Sequence, residues 1–122
     1  MKGGEVFDSR TKLRWQRCSV GQRWKEGLGC VGVILQMSFK GAALRATAGW
    51  RLPTRDELAS LVASHCTNPA INEDVFPDME LPKLSYWTST DSGGSVLYVD
   101  FADGTVHPSG PTDLDSVRLV KK

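Results

Sequence analysis

The sequence predicts an α+β fold in which two short central helices pack on a small, mostly antiparallel sheet that joins both termini. Residues 5–17 alternate apolar and polar side chains, which is the period of a half-buried strand. Residues 39–64 carry helical patterns instead, and residues 86–120 return to β-branched and aromatic composition. Strands from both ends with helices between them are typical of α+β folds with adjacent termini.

The composition fits one domain spanning residues 1–122. Apolar residues make up 40% and charged residues 24%, which excludes wholesale disorder. The net charge of +1 provides no field for a polyanion, so we expect no nucleic-acid partner. No apolar run approaches the roughly 20 residues that span a bilayer, so no membrane insertion is expected. The first residues lack the apolar region of a signal peptide, which leaves a cytoplasmic location open beside an extracytoplasmic one.

The N-terminal strands are predicted at residues 6–7 and 13–16, with a polar turn over residues 8–10. The Gly-rich segment 20–32 reads as a loop or ragged hairpin. Residues 31–37 are apolar and β-branched, which predicts a further strand.

Three cysteines bear on the redox state of the protein. Cys18 and Cys30 flank the Gly-rich segment, and a disulfide between them would close a loop worth about 3 kcal/mol. Cys66 makes the count odd, so one thiol is left over or pairs with another chain. The alternative is three reduced thiols in a cytosolic protein.

Two helices are predicted in the middle of the chain. Ser38 is a candidate N-cap for a helix over residues 39–47. Thr54 and Glu57 form a capping box, which predicts a second helix over residues 55–64. Ile71 and Phe76 are expected to fill the core from an irregular segment.

The C-terminal third is predicted to be mostly strand. Strands are expected over residues 86–90, 96–101, 105–107 and 117–120. A turn is expected over residues 91–94, and Asp103 with Gly104 is a two-residue hairpin signal.

Several ordered motifs resemble a known bacterial family. They are WRLPTRDEL at 50–58, LRWQRC at 13–18, GQRW at 21–24, NPAIN at 68–72, YWTST at 86–90 and VRLV at 117–120. The chain resembles the family typified by the C-terminal domain of the Legionella collagen-like adhesin, a bacterial domain of unknown function.

That resemblance implies a C-type-lectin-like fold, of the branch shared with formylglycine-generating enzymes. It also implies an extracytoplasmic or cell-surface role in adhesion or ligand binding. The related enzymes use paired active-site cysteines near the C-terminal core, whereas this chain has no cysteine after Cys66. We therefore expect no enzymatic activity and no cofactor.

The metal-binding alternatives are weak. C-type lectins that use calcium need clustered carboxylates, but the aspartates here lack EF-hand spacing, and Asp103-Gly104 is better explained as a turn. His65 and His107 have no paired ligand spacing with the cysteines, so no zinc site is predicted.

The candidate ligand-binding residues lie mainly in the C-terminal third. Trp15, Trp50 and Trp87 are expected in the core, whereas Trp24 in the polar loop is the tryptophan expected to be exposed. The hydrogen-bonding groups of the late strands form the remaining candidates, and an ordinary solvated sheet edge is the alternative. The candidates are Trp24, Ser89, Asp91, Ser92, Tyr98, Asp100, His107 and Asp113.

The leading functional hypothesis is a non-enzymatic module that binds a glycan or a protein surface. A stable homotrimer that binds sulfated glycans would favour adhesion. The first alternative is a subunit that docks on a pilus, secretion or phage assembly. The second is a diverged relative of the formylglycine-generating enzymes.

Overall fold

Strands lie at both ends of the chain and short helices lie between them. The computed structural model describes residues 3–63, 65–67, 69–78, 84–110 and 112–122. The strands are β1 (Glu5–Asp8), β2 (Leu13–Gln16), β3 (Gln22–Lys25), β4 (Gly29–Gly32), β5 (Ser85–Ser92), β6 (Ser95–Asp100), β7 (Thr105–Ser109) and β8 (Val120–Lys121). The helices are α1 (Phe39–Ala43) and α2 (Arg55–Ala59). The mixed α and β composition is as predicted.

The strands form three small antiparallel sheets among the described residues, with orders β1-β2-β8, β3-β4 and β5-β6-β7. The first sheet pairs Trp15 with Val120, so both ends of the chain meet there as predicted. The prediction of one sheet is wrong. Gly21 and Gly32 adopt φ of 103° and 105°, a conformation that interrupts regular strands on either side of the β3-β4 hairpin.

Both helices are shorter than predicted. The alanines at 43 and 46 are exposed, so α1 has little apolar surface to bury beyond Ala42, and it ends at Ala43 rather than near residue 47. The second helix ends at Ala59 rather than residue 64. There the Ser60 hydroxyl donates to the Glu57 carbonyl at 2.5 Å, and Val62 pairs with Ile71 in an isolated bridge. Tertiary pairing therefore takes the backbone that would have continued the helix.

Several strand boundaries also differ from the predictions. The strand predicted over residues 31–37 ends at Gly32, and beyond it Leu35 donates to the Val20 carbonyl and Met37 forms an isolated bridge with Asp115. The strand β5 runs through Ser92, which narrows the turn predicted at 91–94. The hairpin signal at 103–104 lies in a longer connection over residues 101–104. The closing strand covers only two residues of a buried segment.

Two hydrophobic clusters lie on opposite faces of the β5-β6-β7 sheet. The first joins Trp15 and Leu58 to Tyr86 and Val99, with Ile71 and Phe76 buried as predicted. The second joins Trp87 to residues of α1 and to Val117 and Leu119. Trp50 is half-buried against this second cluster, so the expectation of core tryptophans holds fully for Trp15 and Trp87.

A fully buried ion pair connects three distant parts of the chain. The Arg118 Nη2 donates to both carboxylate oxygens of Asp78, at 2.7 and 2.9 Å, and neither side chain is exposed. The Arg118 Nη1 donates to the carbonyls of Gln16 and Arg17, at 3.0 and 2.8 Å. This ion pair therefore fixes the end of β2 against both the residue-78 segment and the C-terminal segment.

Ser19 and Tyr86 extend the buried ion pair into a polar network. The Ser19 backbone N–H donates to Asp78 Oδ2 at 2.6 Å, and its hydroxyl also donates to that oxygen. The Ser19 and Tyr86 hydroxyl oxygens lie 2.5 Å apart. Burial raises the pKa of Tyr86 to about 12, so the phenol stays neutral within this network.

A disulfide joins Cys18 and Cys30, with their Cα atoms 5.6 Å apart. It ties the β3-β4 hairpin to the end of β2. Cys66 is free and partly buried. The hairpin is thus held to the rest of the protein by a covalent bond, and the predicted disulfide between Cys18 and Cys30 is present.

The capping box of α2 generates a stability prediction. The Thr54 hydroxyl accepts from the Glu57 N–H at 3.2 Å, and the Glu57 carboxylate accepts from the Thr54 N–H at 2.9 Å. Thr54→Ala removes the first bond and should lower the free energy of unfolding by about 1 kcal/mol in urea denaturation. Thr47→Ala, at an exposed position outside any helix, is the control. Equal stability of the two variants would contradict the capping role.

The buried ion pair generates a second stability prediction. Asp78→Asn leaves the buried Arg118 guanidinium without its counter-charge, so it should cost about 3–5 kcal/mol of the free energy of unfolding. Asp56→Asn removes a carboxylate that is mostly exposed and should change it by less than about 0.5 kcal/mol. Urea denaturation of both variants measures the difference. A cost below about 1 kcal/mol at Asp78 would show that the ion pair is dispensable.

Candidate functional site

One face of the β5-β6-β7 sheet is partly covered and partly open. Trp87 and Val96 on this face pack into the second cluster, and the Phe39 ring lies edge-on to Trp87 at 5.7 Å. Alternate residues along a strand share a face, so the positions beyond them continue the same face without that cover. We call these residues, with the adjoining loop aspartates, the polar patch: Tyr98, Asp100, Asp103, Thr105, His107, Asp113 and Asp115.

Two rings and a chain of hydrogen bonds form the centre of the polar patch. Tyr98 pairs with His107 across β6 and β7, and their ring centroids lie 5.6 Å apart. The His107 Nε2 lies 2.6 Å from the Thr105 hydroxyl, which donates to Asp103 Oδ1 at 2.7 Å. The Asp103 carboxylate also accepts from the Thr105 N–H at 3.1 Å. These bonds hold the imidazole beside the phenol on a paired strand.

Carboxylates surround the two rings. The Ser109 hydroxyl donates to Asp115 at 3.0 Å and to Asp113 at 3.2 Å. Asp113 also accepts from the Gly110 N–H at 2.7 Å. The Asp100 carboxylate accepts from the Ala102 N–H at 2.8 Å. These hydrogen bonds therefore bring Asp113 and Asp115 to the same face as the strand residues.

The pKa shifts show that the polar patch has a negative potential. Burial raises the pKa of Tyr98, and the charges of Asp100, Asp115 and Asp113 raise it further. Burial likewise raises the pKa of Asp115, although its hydrogen bond from Ser109 opposes the shift. Hydrogen bonds from Thr105 lower the pKa of Asp103, so that carboxylate stays ionised. The polar patch thus favours neutral or cationic groups over anions.

The patch brings together hydrogen-bonding and aromatic groups. Tyr98 is neutral at ordinary pH and offers a phenolic donor, while the carboxylates offer acceptors. Across the residues that the structure describes, no cluster of His, Cys, Asp or Glu could hold a metal ion. An aromatic pair beside hydrogen-bonding groups on a rigid sheet is suited to binding a polar ligand.

The predicted residues fall into three separate groups. Tyr98, Asp100, His107 and Asp113 come together in the polar patch. A second group lies on the C-terminal half of β5, which leads to the turn at Gly93 and Gly94 and away from the polar patch. Its members are Ser89, Asp91 and Ser92. The Ser89 N–H donates to the Pro53 carbonyl at 2.8 Å, so that residue fixes the entry to α2.

Trp24 lies on the β3-β4 hairpin, in a different sheet from the polar patch. The Arg17 guanidinium sits over its ring at 4.1 Å, and the indole N–H donates to Glu26 at 2.8 Å. Its side chain is half-buried rather than freely exposed. The expectation of an exposed Trp24 is therefore wrong, because the neighbouring arginine and glutamate pack against it.

Three members of the patch were absent from the predicted binding residues. The sequence predicts a turn at Asp103 and a strand at Thr105, and it assigns no specific role to Asp115. The alternation of Thr105 and His107 about the half-buried Val106 is a signal that they share a face. The position of Asp115 depends on its bridge to Met37, which is a tertiary contact.

The raised pKa of Asp115 predicts a pH-dependent effect on stability. A carboxyl whose pKa is raised on folding disfavours the folded state once it ionises, so this cost appears as pH rises through the folded pKa. Asp115→Asn should therefore stabilise the protein more at about pH 7 than at about pH 3, where the carboxyl is protonated in both states. Urea denaturation at both pH values measures this, with exposed Asp91→Asn as control. The same effect of Asp115→Asn at both pH values would refute it.

The comparisons with known proteins identify the family of the chain. The family model described as Lcl C-terminal domain, from a family associated with adhesins, matches residues 4–121. Neither a curated protein nor a solved structure matches the chain. In the described part of the chain, every helix is too short or too polar to cross a membrane. The match covers nearly the whole sequence, and the chain therefore belongs to the Lcl C-terminal domain family.

Proposed function

We propose that residues 1–122 form one non-enzymatic ligand-binding domain with a C-type-lectin-like fold, which acts in adhesion outside the cytoplasm or at the cell surface. Membership of an adhesin-associated family supports this proposal. The Cys18–Cys30 disulfide supports the location, because disulfides persist in oxidising compartments. The proposed binding site is the polar patch.

The ligand proposed for the polar patch is a glycan rich in free hydroxyl or amino groups. The observation that carries this is the Tyr98–His107 ring pair flanked by carboxylates. An aromatic ring provides an apolar surface for the C–H face of a sugar, and carboxylates accept hydrogen bonds from its hydroxyls. The rings are held on paired strands, and hydrogen bonds from Ser109 and the Gly110 N–H hold the loop carboxylates, so little conformational entropy is lost on binding.

The charge of the patch selects among glycan classes. Asp100, Asp113 and Asp115 all raise the pKa of Tyr98, which reports a shared negative potential. Sulfate groups would be repelled there, whereas amino groups would be attracted. Neutral and amino-bearing oligosaccharides are therefore the proposed ligands of this face.

A glycan array containing neutral, amino-bearing and sulfated oligosaccharides tests the proposal. Binding to neutral or amino-bearing sugars is expected, and Tyr98→Ala or His107→Ala should weaken it at least about tenfold. The matched control is His65→Ala, because His65 is an exposed histidine outside the patch. Light scattering of the same samples gives the assembly state, since a homotrimer would raise the apparent affinity through avidity.

Two results would contradict this assignment. Binding restricted to sulfated glycans would place the site away from the negative patch. An array without any binding, combined with capture of one protein partner that Tyr98→Ala abolishes, would favour the alternative of a docking subunit.

A further inference from the structure

A groove of about 510 Å³ runs along the outer edge of β1. Its apolar lining includes Val6, Phe7, Trp15, Leu61, Val62 and Phe76, and we call it the β1 groove. The Arg17 side chain donates to the Val75 and Gly3 carbonyls, both at 2.9 Å, which links the far wall to the start of the strand. The groove is thus held open by the fold rather than formed by a loose segment.

The strand on one side of the β1 groove has an edge with which no described strand pairs. Gly4 and Asp8 accept hydrogen bonds from Arg17 and Lys12, so these carbonyls and those at alternate positions face β2. The backbone groups of Glu5 and Phe7 therefore face away from β2. No described backbone group pairs with β1 on that side. Such an edge is a template for a further strand.

Two carboxylates lie beyond one end of the apolar lining of the β1 groove. A second depression of about 540 Å³ shares Ala63, His65 and Asn72 with the β1 groove, and it is also lined by Glu73 and Asp74. Among the described residues, neither carboxylate forms an ion pair. A ligand that fills the apolar part would therefore find complementary charge for a cation at its end.

We propose that the β1 groove binds an extended segment of a partner protein by strand addition to β1. The segment's backbone pairs with Glu5 and Phe7, an apolar side chain fills the groove, and a flanking lysine or arginine lies over Glu73 and Asp74. This site is separate from the polar patch and does not depend on the glycan proposal.

Fluorescence anisotropy with the labelled peptide KVTFTVK tests the strand addition. Phe7→Pro removes the outward N–H without touching the β1-β2 hydrogen bonds, so it should weaken binding at least about tenfold. Phe7→Ala removes the same ring from the lining but keeps that N–H, so it should weaken binding clearly less than Phe7→Pro does. Wild-type affinity in Phe7→Pro would overturn the proposal, as would absence of any binding of KVTFTVK to the wild type.

A charge test keeps the proposal falsifiable if Phe7→Pro does not fold. The double variant Glu73→Gln with Asp74→Asn should weaken KVTFTVK binding and reduce its salt dependence, whereas Asp56→Asn should do neither. The peptide EVTFTVE should bind the wild type more weakly than KVTFTVK. Equal binding of the two peptides, or self-association through β1 that excludes both, would overturn the proposal.

The polar patch supplies the control that separates the two proposals. Tyr98→Ala and His107→Ala should leave KVTFTVK binding unchanged, because neither residue lines the β1 groove. Loss of peptide binding in these variants would place the peptide on the polar patch and overturn the assignment to β1.

Discussion

The buried ion pair between Arg118 and Asp78 is the constraint on which the arrangement of the sheets depends. One guanidinium contacts the end of β2, the residue-78 segment and the rings of Phe76 and Tyr86. Burying two charges is expensive, and the pair is tolerable only because the surrounding groups satisfy it with hydrogen bonds. A shift of any one segment would leave a charge unsatisfied, so the network permits one relative placement of these segments.

The β5-β6-β7 sheet contributes residues both to the core and to the surface. Its β6 strand buries Leu97 and Val99, while Tyr98 and Asp100 alternate with them and remain partly accessible. On the face that carries the polar patch, Trp87 lies in the covered part, and its indole N–H donates to the Met37 carbonyl at 2.7 Å. Core residues and the residues proposed for recognition therefore alternate along the same strand, and the patch gains its rigidity from the core beneath it.

Local chemistry made part of this structure predictable. The hydrogen bonds of the Thr54–Glu57 capping box depend on a spacing of three residues, and the first hairpin depends on simple alternation, so both follow from the sequence. Arg118 and Asp78 could not be paired in advance, because a buried charge is recognised only once its partner is known. The early end of α2 likewise depends on the contact of Val62 with Ile71.

The candidate site shows the same division. Residue types and strand positions predict Tyr98 and His107 as candidates, but their ring contact depends on the register of β6 and β7. The same criteria also predict Ser89, although its N–H fixes the start of α2. Sequence distance along a meander does not say which residues share an end of the sheet.

The stability of the β3-β4 hairpin depends on redox conditions more than that of the β1-β2-β8 sheet, because the disulfide joins only the hairpin to the end of β2. The disulfide crosses from Cys18 only to the hairpin that carries Trp24, whereas the β1-β2-β8 sheet relies on hydrogen bonds and on the buried charges. Reduction of the disulfide would leave the hairpin held by non-covalent contacts such as that of Arg17 with Trp24, whereas the pairing of β2 with β8 would lose no bond. The hairpin is thus the part of the described protein whose stability is most sensitive to the oxidation state of its surroundings.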